Sequence, residues 1–219
     1  MDRRTKTNES GKPRIVLVTP PVDDATRFAP QLAAACSAAD VAAVVLRLAP
    51  ADDSVQIERV RALGAALPDR GPILLLDGHA KLVARTVADG VQLHGSDFVS
   101  SVRKALKPER TIGACGLESR HHAMVSAEGG ADFVMFGEPD ANGRRPSLPA
   151  LIERVEWWSE LFVIPCVAYA VRLDEIEPLV EAGADFIALG EEAVWQAPEG
   201  PARALVAAMV HLAVAEPAE

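Results

Sequence analysis

The sequence predicts a single-domain α/β protein, a (β/α)8 or TIM barrel, on three observations. An Ala-Asp pair opens a short apolar run four times, at Ala39-Asp40, Ala88-Asp89, Ala131-Asp132 and Ala184-Asp185, with a spacing of roughly fifty residues. Two copies, Gly130-Ala131-Asp132-Phe133-Val134-Met135-Phe136-Gly137-Glu138 and Gly183-Ala184-Asp185-Phe186-Ile187-Ala188-Leu189-Gly190-Glu191, match in their glycines, acids and large apolar residues. Each reads as a helix ending in Gly, a buried strand and a Gly-acid loop, and each interval leaves room for a further helix, strand and helix. Four such quarters close a barrel. The third observation is size: 219 residues, 49% hydrophobic, fill one large core near the short end of this architecture and argue against a second domain.

The elements follow in order. Ile15 to Thr19 is the first strand, stopped by Pro20-Pro21, and an Ala-rich helix is expected from about Phe28 to Ala38. Val41 to Leu46 delivers Arg47 at the end of the second strand. A helix from Val55 to Leu67 shows the 3.6-residue period, and Ile73 to Leu76 delivers Asp77-Gly78-His79. A helix over Lys81 to Val87 leads to the fourth strand, Gly90 to Leu93, ending in His94-Gly95-Ser96-Asp97. Thr111 to Gly116 precedes a helix carrying Glu118, Arg120, His121 and His122. The sixth strand ends at Gly137-Glu138-Pro139-Asp140, and the polar loop Ala141 to Pro146 is the longest insertion on the upper rim. A helix around Leu151 to Trp158 leads to a seventh strand, Val163 to Ala170; the eighth ends in Gly190-Glu191-Glu192, and Pro201 to Val214 closes the ring. Such continuous aliphatic runs suit parallel strands buried on both faces.

Composition restricts the partners. A formal charge of −9 gives no basic field, and no stretch interleaves Lys or Arg with aromatics, so neither nucleic acid nor an anionic membrane is an expected partner. Cys36, Cys115 and Cys166 are far apart in apolar surroundings, without metal or redox spacing, and read as buried thiols of a cytoplasmic protein. Residues 1–13 and 215–219 are expected to be tails around a barrel spanning 14–214, with no signal peptide and no membrane-spanning run.

On this layout the strand C-termini collect Arg47, Asp77, His79, His94, Asp97, Cys115, Glu138, Asp140, Arg144, Arg145, Tyr169, Glu191 and Glu192, as a barrel active site would. Arg47 follows six apolar residues, so its guanidinium must find either a ligand phosphate or a neighbouring carboxylate such as Asp77. Asp97 with Asp77 and His79 or His94 offers N and O donors for a metal, or else a satisfied hydrogen-bond network. His121 and His122 read as surface residues. Adjacent Trp157 and Trp158 lie about 100° apart on a helix and cannot both enter the core as deeply; one of them marks either helix packing or a contact in a homo-oligomer. No G-x-G-x-x-G follows any strand.

Arg at the end of strand 2, an acid ending strand 3, Gly-Val-x-Leu-x-x-x-Asp at strand 4, Ile-Gly at strand 5, Ala-Asp-Phe-Val-x-Phe-Gly at strand 6 and Gly-Ala-Asp-Phe-Ile at strand 8 together resemble thiamine phosphate synthase and its thiazole tautomerase relatives, from about Arg14 to Val210. The resemblance implies a transferase of thiamine biosynthesis that joins a hydroxymethylpyrimidine pyrophosphate to a thiazole phosphate, with Mg²⁺ neutralising the departing pyrophosphate. The catalytic candidates are Arg47, Cys115 and Glu138, and those for binding phosphorylated substrates Arg47, Asp77, Gly137, Arg144, Arg145, Tyr169 and Gly190. Asp97 and Asp77 become the implied Mg²⁺ ligands, Asp77 by a register shift because Gly78 stands where the family has Asp. Cys115 stands for a family Ser, and Asn142-Gly143-Arg144-Arg145 for its Thr-x-Thr-Lys clamp. The strand-2 Lys is absent at Ala49. In place of a Gly-Gly turn after strand 7 and a Ser after strand 8, this chain has Ala168-Tyr169-Ala170-Val171 and Gly190-Glu191-Glu192. A carboxylate about 4 Å from a phosphate oxygen costs on the order of 1 kcal/mol even in water, so these glutamates oppose phosphate. The tautomerase His after strand 5 is replaced by Gly116-Leu117-Glu118.

Three functions therefore compete: the transferase, a catalytically degenerate barrel that binds another small ligand or serves as a partner subunit, and an isomerase or lyase using Glu138, Glu191 or Cys115 as acid or base.

Overall fold

The computed structural model describes residues 13–214; the expected tails lie outside these described residues, save for Pro13. Eight parallel strands follow one another around a closed barrel, with β8 bonded to β1. They are β1 Arg14–Val18, β2 Val41–Leu46, β3 Ile73–Asp77, β4 Gly90–His94, β5 Thr111–Cys115, β6 Phe133–Phe136, β7 Cys166–Ala170 and β8 Phe186–Leu189. The main helices are α1 Ala25–Ala38, α2 Asp53–Ala66, α3 Ala80–Val83, α4 Val99–Ala105, α5 Arg120–Glu128, α6 Leu148–Leu161, α7 Ile176–Glu181 and α8 Pro201–Val214. Among the described residues no helix is long and apolar enough to cross a membrane.

Alternation along each strand divides the core in two. Val16, Val18, Val45, Leu75, Met135, Val167 and Ala188 fill the lumen. Their strand neighbours Ile15, Leu17, Val44, Leu74, Val134 and Ile187 belong to the larger layer beneath the helices. Burying each large aliphatic side chain contributes roughly 1.5–3 kcal/mol, so a continuous apolar strand has a partner for both faces only inside such a barrel.

The Ala-Asp repeat has a specific physical role at the lower rim. Asp89, just before β4, accepts a hydrogen bond from the Leu74 N–H of β3 at 2.9 Å. Asp132, before β6, accepts from the Ile112 N–H of β5 at 2.7 Å, and Asp185, before β8, from the Cys166 N–H of β7 at 2.9 Å. Asp40, before β2, instead takes Nε and Nη2 of Arg14 on β1 at 2.8 and 2.7 Å. The carboxylate before each even strand thus clasps the start of the preceding odd strand. The Ala beside it is small enough for the chain to turn inward, and Ala88, Ala131 and Ala184 are buried.

Several boundaries differ from the sequence reading. Helix α1 begins at Ala25, three residues before Phe28, because Asp24 caps it by accepting from the Arg27 N–H at 3.0 Å. The helix expected over Lys81 to Val87 is the single turn α3; the Thr86 hydroxyl bonds the Leu82 carbonyl at 2.9 Å, diverting the chain toward the Asp89 clasp. Ser119 caps α5 through the His122 N–H, so Glu118 lies before that helix. Strand β7 starts at Cys166 because Pro165 lacks a ladder donor, and Val163 is fully exposed. Trp158 is the core member of its pair, stacked on Phe162 at 4.1 Å with Nε1 donating to the Ile164 carbonyl; Trp157 is half-buried beneath the Arg120 guanidinium.

If the clasps hold strand pairs together, Asp185→Ala should lower stability by about 1.5–3 kcal/mol, the range for a hydrogen bond to a charged group, while Asp185→Asn, which still accepts, should lose less. Urea denaturation of both variants measures this, and equal losses would refute the acceptor role.

Candidate active site

Strand ends and one glycine turn build the site. Arg47 leaves β2 with its backbone N–H bonded to the Thr19 hydroxyl at 3.0 Å, which fixes where its side chain enters the mouth. Asp77, His94 and Cys115 end the adjacent strands β3, β4 and β5. Glu138 follows β6 through Gly137, whose φ of +86° is left-handed and whose Cβ position would lie 2.5 Å from the Leu151 side chain.

These five side chains form a closed ring of polar contacts. Arg47 Nη2 donates to Glu138 Oε1 at 2.5 Å and Nε to Asp77 Oδ2 at 3.3 Å. The other Asp77 oxygen lies 2.7 Å from His94 Nε2, and His94 Nδ1 lies 3.4 Å from Cys115 Sγ. Cys115 in turn lies near enough to the Glu138 carboxyl for each to shift the other's pKa. The Glu138 side chain is only 4% exposed, Asp77 13% and Arg47 24%, whereas His94 is 54% exposed at the outer edge. His94 also lines an open groove of about 510 Å³ with Gly78, His79, Leu82, Leu93 and Phe98.

Burial and like charge set the protonation states. Burial raises the pKa of Glu138 above the usual carboxylate value, Arg47 pulls it down and Asp77 pushes it up. Burial also lowers that of Arg47, but Glu138 and Asp77 outweigh it and the net shift is upward. His94 is raised by its hydrogen bond to Asp77. The Cys115 thiol is raised well above its ordinary value by burial and then by Glu138 and Asp77. The connectivity Cys115–His94–Asp77 is that of a thiol, imidazole and carboxylate triad, yet Cys115 is 0% exposed and holds its proton at neutral pH, unlike an activated nucleophile.

The other expected residues lie apart from this ring. Arg144 pairs with Asp140 at 2.9 Å on the exposed loop. Arg145 turns inward to Glu175 at 2.9 Å, a carboxylate that also accepts from the Val171 N–H. Both arginines therefore carry an internal counter-ion. Asp97 is exposed beyond β4 and accepts from Ser96 at 3.4 Å. Tyr169, on the lumen face of β7, sets its hydroxyl 1.8 Å from where a Cβ on Gly190, just beyond the adjacent β8, would stand. Glu191 opens a π-helical turn to Trp195, whose Nε1 donates to the Val18 carbonyl at 2.7 Å. Glu175 and Gln92 carry no expectation from sequence. Gln92 is fully buried on β4 with neither amide atom partnered among the described residues, and its i, i+2 spacing to His94 places it on the lumen face.

The profile of the family described as thiamine monophosphate synthase matches residues 15–193, the barrel from β1 to the π-helical turn. The chain belongs to that thiamine monophosphate synthase family. It is 40% identical to a thiamine-phosphate synthase of Rhodospirillum centenum, over 88% of this chain and 94% of that one. Identity to a thiamine-phosphate synthase of Hyphomonas neptunium is 36%, over 88% and 90%. Among solved structures, thiamine phosphate pyrophosphorylase of Pyrococcus furiosus superposes with a TM-score of 0.78 at 22% identity, covering 96% of this chain and all of that one, a likeness of fold. For a barrel of the thiamine monophosphate synthase family, the mouth described above is acidic: Asp77 and Glu138 face one Arg47.

Two measurements test these protonation states. A folded-state pKa raised at His94 means that its share of stability is complete below the unfolded imidazole value and is lost as pH rises through the folded one. NMR titration should place His94 above the ordinary 6.5, and Asp77→Asn should bring it down. Burial likewise pushes Cys36 and Cys166 up to about 12, so a thiol reagent at pH 8 should leave all three cysteines unmodified in the folded protein and label them in urea. Rapid labelling of native Cys115 would contradict the burial described.

Proposed function

We propose that this chain is a thiamine-phosphate synthase of the cytoplasm, joining a hydroxymethylpyrimidine pyrophosphate to a thiazole phosphate. The observation that carries the reading is 40% identity to a thiamine-phosphate synthase along nearly the whole of both chains. The three free cysteines, all buried, suit a reducing compartment. In the reaction the thiazole nitrogen forms a bond to the pyrimidine methylene carbon as the carbon–oxygen bond to pyrophosphate breaks and the electron pair leaves with the pyrophosphate. Arg47 is the cation of the mouth suited to hold the pyrophosphate oxygens. Asp77 and Glu138 favour the positive charge that develops on the methylene carbon.

Mg²⁺ prefers six oxygen ligands. Asp77 stands beside an imidazole and a thiol and not beside further oxygen donors for a metal, Gly78 offers no side chain, and Asp97 stands exposed outside the ring. These residues fit Mg²⁺ poorly, and no step of the reading passes through it.

A second reading has its own support. Tyr169 sits on Gly190, with Glu191 and Glu192 following, so the β7–β8 side of the mouth favours a ligand less anionic than a phosphate. On this reading the barrel keeps its scaffold and binds another small molecule.

A fluorescence assay for thiamine phosphate, with both substrates and the purified protein, separates the two. The transferase reading expects multiple turnovers, with kcat/KM falling about tenfold to hundredfold in Arg47→Ala, the loss expected for a hydrogen bond between charged groups. No product above a protein-free control overturns it and leaves the second reading.

A further inference from the structure

We propose that Asp77, His94 and Cys115 form a binding site for a divalent transition-metal ion of the Zn²⁺ class at the barrel mouth. The proposal goes beyond the transferase reading and does not depend on it. One ligand atom from each of the three residues lies within 4.8 Å of the others, and among the described residues this is the one such group. The ligands stand on three consecutive strands, in a register that pairs His94 with Cys115 and Asp77 with Gln92, two residues before His94. Ligands borne on barrel strands are held more rigidly than ligands on loops.

The donor set names the ion. One carboxylate oxygen, one imidazole nitrogen and one thiol sulfur suit a borderline or soft cation and exclude a preference for Mg²⁺ or Ca²⁺, which take oxygen. Three protein ligands leave a fourth position for water or a ligand oxygen, the pattern of an open site. Cys36 and Cys166 are also free and buried, but Cys115 alone of the three has an imidazole at 3.4 Å.

The charge balance favours a cation despite Arg47. That guanidinium contacts Asp77 Oδ2 at 3.3 Å and Glu138 Oε1 at 2.5 Å, so one positive charge serves two carboxylates. Asp77 Oδ1, on the His94 side, is the oxygen free of Arg47. Binding breaks the Cys115 S–H bond and forms a metal–sulfur bond; the proton passes to the neighbouring Glu138 carboxylate and then to solvent. His94, half-exposed, turns from Asp77 toward the ion without disturbing the core.

The test uses the full chain, stripped with a chelator and titrated with Co²⁺ as a spectroscopic substitute for Zn²⁺, without substrates. We expect saturation at one ion per chain, a thiolate-to-cobalt charge-transfer band in the near ultraviolet, intense visible bands of four-coordinate cobalt, and loss of both on adding Zn²⁺ but not Mg²⁺. Cys115→Ser should abolish the charge-transfer band, and His94→Ala should weaken Co²⁺ binding by about tenfold or more. A Cys36→Ser/Cys166→Ser double variant should keep the full spectrum. Absence of the band in the parent protein, or its persistence in Cys115→Ser, overturns the proposal. Circular dichroism confirms that each variant is folded; if Cys115→Ser is not, His94→Ala, altered at a half-exposed edge, decides alone. Since the readout is absorption, failure here leaves the transferase reading standing, and inactivity in the thiamine phosphate assay leaves the metal site standing.

Discussion

The barrel rests on clasps at its lower rim. A parallel strand has no hairpin partner to hold its first residue, so the N–H groups that begin the odd strands need acceptors from elsewhere. Asp89, Asp132 and Asp185 supply them from the residue before the next strand, and Asp40 holds Arg14 on β1. Each clasp joins a strand to its successor, so four of them bring eight strands into adjacent pairs. With the lower rim held in this way, side chains at the upper ends can be placed to within ångströms of one another.

That placement produces the polar ring at the mouth. Strand stagger brings Asp77, His94 and Cys115 to neighbouring positions, while the left-handed turn at Gly137 swings Glu138 back over them. Arg47 then meets two carboxylates in a site where water is scarce, and protons there are held more tightly than on exposed groups. On the β7–β8 side of the mouth Tyr169 packs against Gly190. The result is a barrel of the thiamine monophosphate synthase family whose mouth is acidic, contains a thiol and is narrowed on one side.

Much of this was legible along the chain. The Ala-Asp repeat announced the barrel, and every member of the mouth ring stood at a predicted strand end. The partners were less legible. Arg144 and Arg145 read from sequence as a clamp for pyrophosphate, and the fold sets each beside a carboxylate, Asp140 and Glu175; Glu175 lies 30 residues from Arg145, on a stretch with no motif. His94 reads from sequence as one of two histidines that could join Asp77 and Asp97; the fold instead sets Asp77, 17 residues away, and Cys115, 21 residues away, on either side of its ring. Gln92 belongs to no motif, although its alternation with His94 points it into the lumen. Helix limits shifted where a capping side chain, Asp24 or Ser119, took over the first turn.

The sequence by itself determined the alternation of strands and helices, the closure into eight, and which residues stand at strand ends, because apolar runs, glycine stops and a repeated motif are properties of neighbours along the chain. Only the tertiary structure decided which charges cancel and which donors converge. Those outcomes depend on stagger between strands and on loops that fold back across the mouth, as when Arg47 meets Glu138 at a separation of 91 residues. A shift of a few ångströms changes an ion pair into two free charges. Local sequence patterns do not encode distances on that scale.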